Sequence, residues 1–96
     1  MQAFHIGRFL SHSDFVTICE DHIEVEDLLS LGLTVGRSEP EVIEAMRAAW
    51  ELEMCDLTSV PVTVRLGEAG TFEAVYLDEG SEHRETARYT VERHAI

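Results

Sequence analysis

Between residues 38 and 93 the apolar pattern changes period once, from about 3.6 to 2. That switch confines the chain to a helix packed on a sheet. The helical part opens at Ser38, a side chain suited to an N-cap. Glu39 and Pro40 fit the first turn, and Glu41 completes a capping box. The early carboxylates oppose the positive end of the helix dipole. Val42, Ile43, Met46, Ala49, Trp50 and Met54 then fall in one stripe about 140° wide at 100° per residue. The spacing predicts a helix over about 39–53, with Trp50 at the centre of its buried face and Glu44, Arg47 and Glu51 towards solvent.

After the helix, Val60, Val62, Val64 and Leu66 alternate with polar neighbours, and Pro61 marks an edge or a ragged strand start. Gly67-Glu68-Ala69-Gly70 reads as a turn. A second strand runs over 71–77, with Phe72, Ala74 and Tyr76 on one face and Val75 and Leu77 on the other. Asp78-Glu79-Gly80-Ser81 turns the chain into a third strand over about 84–93. There Ala87, Tyr89 and Val91 face in, while Arg84, Thr86, Arg88, Thr90 and Glu92 face out. Towards the start, Phe4 and Ile6 alternate in a first strand over 2–10 that Gly7 could kink, and which can join the sheet as a fourth member. Short helices are expected over about 12–20 and 24–30, and Leu33-Thr34-Val35 as an extended connector. The expectation is one α+β domain over residues 1–96. It is a two-layer sandwich with a short N-terminal strand and helices, one main amphipathic helix, and a C-terminal three-stranded antiparallel meander.

Charge is the second constraint. Nineteen acidic residues stand against seven basic ones, a formal net charge of -12. With 45% hydrophobic residues the chain still has enough apolar surface to fold. All the basic residues are arginine, and Lys and Asn are absent, a bias that genome composition or adaptation to salt can also produce. A field of this sign repels polyanions and draws in basic proteins. No two arginines are adjacent, so direct nucleic-acid binding is not expected. No apolar run reaches membrane-span length, and the first residues lack the pattern of a signal peptide. The expectation is therefore a cytoplasmic protein with reduced Cys19 and Cys55.

Chemistry-bearing constellations are sparse. Cys19 and His22 have a Cys-x-x-His spacing, but a structural zinc site needs four ligands and no second pair follows near Cys55. His83 and His94 are isolated. Both cysteines sit beside acids, Glu20 and Asp56, unlike the electropositive setting of a reactive thiolate. Gly67 and Gly70 lack the helix and Lys of a phosphate loop. No metal, cofactor or catalytic set is expected, and the chain is not expected to be an enzyme.

The acids themselves are the candidates. Glu20, Asp21, Glu24, Glu26 and Asp27 cluster before the main helix, Glu41, Glu44 and Glu51 lie along it, and Asp78, Glu79 and Glu82 flank a turn. Carboxylates fixed on a rigid scaffold can imitate the charge of DNA, about one per 1.7 Å of axis. They would then occlude the basic surface of a nucleic-acid-binding partner. In size, acidity and lack of a catalytic signature the chain resembles phage-borne inhibitors, such as anti-CRISPR proteins that mimic DNA. That resemblance covers no specific segment. The alternatives are a non-catalytic structural or accessory module that oligomerises through its sheet, as a homodimer for example, and, more remotely, a small hydrolase-like enzyme.

Overall fold

The computed structural model describes residues 3–10 and 33–95. The helices expected over about 12–20 and 24–30 lie outside them. In chain order the elements are β1 (Ala3–Phe9), β2 (Thr34–Gly36), α1 (Glu39–Thr58), β3 (Val62–Leu66), β4 (Thr71–Asp78) and β5 (Ser81–Ala95). The strands form one five-stranded sheet in the order β2-β1-β5-β4-β3, and every neighbouring pair is antiparallel. This is the α+β architecture that the change of period implies, with a helix laid on one face of a sheet.

Ser38 caps α1 as its sequence suggests, its Oγ accepting the Glu41 N–H at 3.3 Å. Glu41 does not return to the Ser38 amide. Its Oε2 accepts the Arg37 N–H at 3.1 Å, one residue further out. The helix runs to Thr58, beyond the expected end near 53. Leu57 adds another buried turn, and Ser59 closes the helix in the left-handed region at φ 60°, donating its N–H to Cys55 O. Pro61 lies just before β3, an edge strand, so its missing N–H costs no ladder bond.

Val42, Met46, Trp50 and Met54, each four residues from the last, are fully buried and form the helix side of the core. The sheet side is Val62, Val64, Phe72, Ala74, Ala87 and Tyr89. Phe72 sits at the middle, stacked on Tyr89 at 4.4 Å and tilted against Trp50 at 6.4 Å and Phe9 at 6.1 Å between ring centroids. The register places Thr63, Arg65, Glu73, Val75, Leu77, Glu82, Arg84, Arg88, Ile6 and Arg8 on the opposite, outer face.

Three local expectations are corrected. The connector at Leu33-Thr34-Val35 becomes β2, because pairing Ile6 with Val35 and Gly7 with Thr34 extends the sheet past β1. The first strand joins the sheet as expected, and β2 makes it an interior strand. The last strand spans Ser81–Ala95, because its two halves have different partners: residues 81–88 pair with β4 and 89–95 with β1. At about 3.3 Å per residue it is about 50 Å long, close to the 52 Å long axis of the molecule. Gly7, expected to kink its strand, instead lets the helix approach. A Cβ there would overlap Met46 Sδ and Val42 Cγ1.

These contacts make two substitutions informative. Trp50→Ala should cost about 3–5 kcal/mol, since it empties the centre of the core. Gly7→Ala should cost about 1–3 kcal/mol, because the β-branched Val42 cannot swing away as a longer chain would. Urea unfolding of both variants measures these losses.

Candidate protein-binding surfaces

The expected acidic groups divide into three sets. Glu20, Asp21, Glu24, Glu26 and Asp27 lie outside the described residues. Glu41, Glu44 and Glu51 are carried by α1. Asp78, Glu79 and Glu82 meet at the β4–β5 turn, the tip of an arm formed where β5 has left β1 behind.

The helix set is engaged with the scaffold. Arg47, expected to point to solvent, lies instead along the seam between α1 and β3 with its side chain 23% exposed. Its guanidinium holds Glu44 at 2.7 Å and Glu51 at 3.0 Å. Arg47 Nη1 also donates to Val64 O at 3.2 Å, and Glu51 Oε2 accepts the Val64 N–H at 3.0 Å. Cys55 Sγ adds a weaker donation to Val62 O at 3.8 Å. Val64 is thus bonded through both backbone groups on the side away from β4, so side chains of α1 close the open edge of β3. The hydrogen bonds from Arg47 hold the Glu44 carboxyl below its ordinary pKa, and the same contact raises that of Arg47.

The outer sheet face is close to neutral. Arg8, Arg65, Arg84 and Arg88 share it with Glu73, Glu82 and Glu92. Glu73 bridges Arg65 at 3.1 Å and Arg84, and the bond from Arg65 is the main cause that lowers its pKa. Arg8 lies 4.0 Å from Glu92. By contrast α1 carries Glu39, Glu41, Glu44, Glu51, Glu53 and Asp56 against Arg47 alone. Acidity among the described residues is therefore one-sided, weighted to the helix and the arm tip.

Those two regions share an end of the molecule. Cys55 reaches Val62, Val62 pairs with Tyr76, and Asp78 follows two residues later. Asp56 thus lies towards the same end as Asp78 and Glu79. Sequence reasoning passed over Asp56, because the helix was expected to stop before it. It also passed over Glu85, which stands opposite Ala74 on the helix-facing side of the arm. Burial first, then Glu85 and Asp78, raise the pKa of Tyr76, whose ring stacks on His83 at 5.3 Å.

An open cleft of about 460 Å³ lies near the tip of the arm, lined by Pro61, Thr63, Val75, Tyr76, Leu77 and Glu82. Leu77 is 65% exposed beside it. Among the described residues no polar or charged side chain is fully buried, and no three His, Cys, Asp or Glu side chains gather as metal ligands. No described helix is long and apolar enough to cross a membrane. No protein-family model matches the chain, and neither a search of curated proteins nor one of solved structures found a similar protein.

The edge closure is open to direct measurement. Glu51→Ala should lower stability by about 1–2 kcal/mol, since it removes a charged acceptor from a strand N–H. Glu51→Gln, which keeps an acceptor oxygen, should lose less. Chemical denaturation orders the two, and equal losses would mean that the Val64 bond contributes nothing.

Proposed function

We propose that this protein is a non-catalytic binding module that presents fixed carboxylates to the basic surface of a nucleic-acid-binding partner and so occludes it. The observation that carries this reading is that two acids at one end of the molecule sit where the backbone disfavours them. Asp56 stands in the last turn of α1, which holds no basic residue, so its charge faces the negative end of the helix dipole. Glu79 occupies the first of two turn positions with positive φ, at 53°, ahead of Gly80 at 80°. Gly, Asn or Asp fit that position better, and a bulkier residue there costs about 1 kcal/mol. Local rules broken at one place are a mark of function.

Asp56, Asp78 and Glu79, with Glu39 and Glu41 further along the helix, form the proposed contact set together with the acids at 20, 21, 24, 26 and 27. Glu44 and Glu51 contribute less, because Arg47 already neutralises them. The near-neutral outer face gives the field a direction, which would orient an approaching basic partner.

Two linked measurements test this. The tagged full chain is used to capture partners from lysate at about 0.05 M and about 0.5 M salt, and the captured protein is assayed for nucleic-acid binding with and without the chain. Expected is a nucleic-acid-binding protein retained only at low salt, whose DNA or RNA the chain displaces. The triple variant Asp56→Asn, Asp78→Asn, Glu79→Asn should compete about tenfold less well yet melt at a higher temperature than the parent. A captured partner that binds its nucleic acid undisturbed, or a triple variant that competes as well as the parent, overturns the reading.

A further inference from the structure

The two edges of the arm differ. α1 closes the β3 side through Arg47, Glu51 and Cys55. On the β5 side the ladder with β1 stops at Phe9 opposite Tyr89, followed by one bond from the Leu10 N–H to Arg88 O. From Ser81 to Ala87, β5 is paired with β4 alone among the described strands.

The direction of its free groups follows from two bonds. Tyr89 donates its N–H to Gly70 O on the β4 side, whereas Arg88 O accepts from the β1 side. Backbone groups alternate along a strand. Glu82, Arg84 and Thr86 therefore direct N–H and C=O away from β4, and all three are exposed.

We infer that this edge pairs with the same edge of a second copy, antiparallel about His83, placing Glu82 of each copy opposite Arg84 of the other. Three arguments select the occupant and the register. An antiparallel pairing about a two-fold axis at His83 sets Glu82 against Arg84 twice, both with outward backbone groups, as hydrogen-bonded pairs require. Opposite charges face one another on the outer side of the joined sheet, the favourable cross-strand arrangement. Moving the axis to Arg84 or to Glu82 sets the residue on the axis against its own copy, like charge on like. Moving it to Glu85 needs the Arg88 carbonyl, which Leu10 occupies. In the chosen register residues 81–85 pair with 85–81, and the turn of each arm ends beside Thr86 and Ala87 of the other, clear of Leu10.

The joined sheet runs through two copies without a break. The ladder is short and its area falls below the about 1,200 Å² of stable interfaces, so association is weak and depends on concentration. Each copy carries a net charge of -12, and long-range repulsion between copies must be screened for the ladder to form. This inference does not rest on the proposed inhibitor role, and none of its test substitutions touches Asp56, Asp78 or Glu79.

Sedimentation of the full chain from micromolar to millimolar concentration, at about 0.15 M salt, should show a monomer–dimer equilibrium. The amides of Glu82 and Arg84 should exchange more slowly as dimer accumulates. Glu82→Arg and Arg84→Glu should each weaken self-association about tenfold, because two attractive pairs become repulsive. Mixing the two variants should restore dimer at the parent's level, since each supplies the charge the other lacks. Circular dichroism melts establish that both variants are folded. A monomer at every concentration overturns the inference, including the case where the edge amides are protected throughout because residues 11–32 or another chain cover them. Single variants that dimerise like the parent, or a mixture that fails to recover, overturn the register.

Discussion

The burial of one helical stripe against one sheet face organises everything else in the molecule. Val42, Met46, Trp50 and Met54 recur at four-residue steps, and the stripe slants across the strands instead of following one. At its start α1 meets Gly7 and Gly36, the points where a side chain would keep it off the sheet. A Cβ on Gly36 would stand 2.8 Å from Val42 Cγ2. At its far end α1 reaches β3. The slant is what brings Arg47, Glu51 and Cys55 over the β3 edge, so the packing of the core also decides which edge of the sheet is closed.

The parts of this fold that could be read from the sequence are those set by neighbours in the chain. Ser38-Glu39-Pro40-Glu41 announces a helix start because capping is a matter of four consecutive residues. The alternations at 62–66, 71–77 and 84–93 announce strands because one face of each is apolar. The end of α1 was harder to place. It is closed by Ser59 in a left-handed conformation, with no Gly to mark it. β2 consists of three residues whose strand character comes from a partner about thirty positions away, at His5, Ile6 and Gly7.

The acidic groups were legible as a composition but not as a surface. Glu44 and Glu51 look alike on a helical wheel, yet Glu51 bonds a backbone amide thirteen residues ahead while Glu44, among the described residues, bonds Arg47. Whether a carboxylate is free to meet a partner depends on tertiary neighbours that spacing does not reveal. Asp78, Glu79 and Glu82 were found because a two-residue turn keeps them together whatever the rest of the chain does. Asp56 was passed over for the opposite reason, since its place depends on where the helix ends.

The division of β5 between two partners has a consequence for synthesis on the ribosome. α1, β3, β4 and the first half of β5 are continuous in sequence, and they can assemble as soon as residue 88 has emerged. β1 precedes all of them in the chain, yet it finds its principal partner only in residues 89–95. Until those residues are made, that side of β1 is unpaired, the kind of non-local pairing that slows folding and exposes nascent chains to aggregation. The charge of -12 would keep nascent copies on one polysome apart during that interval.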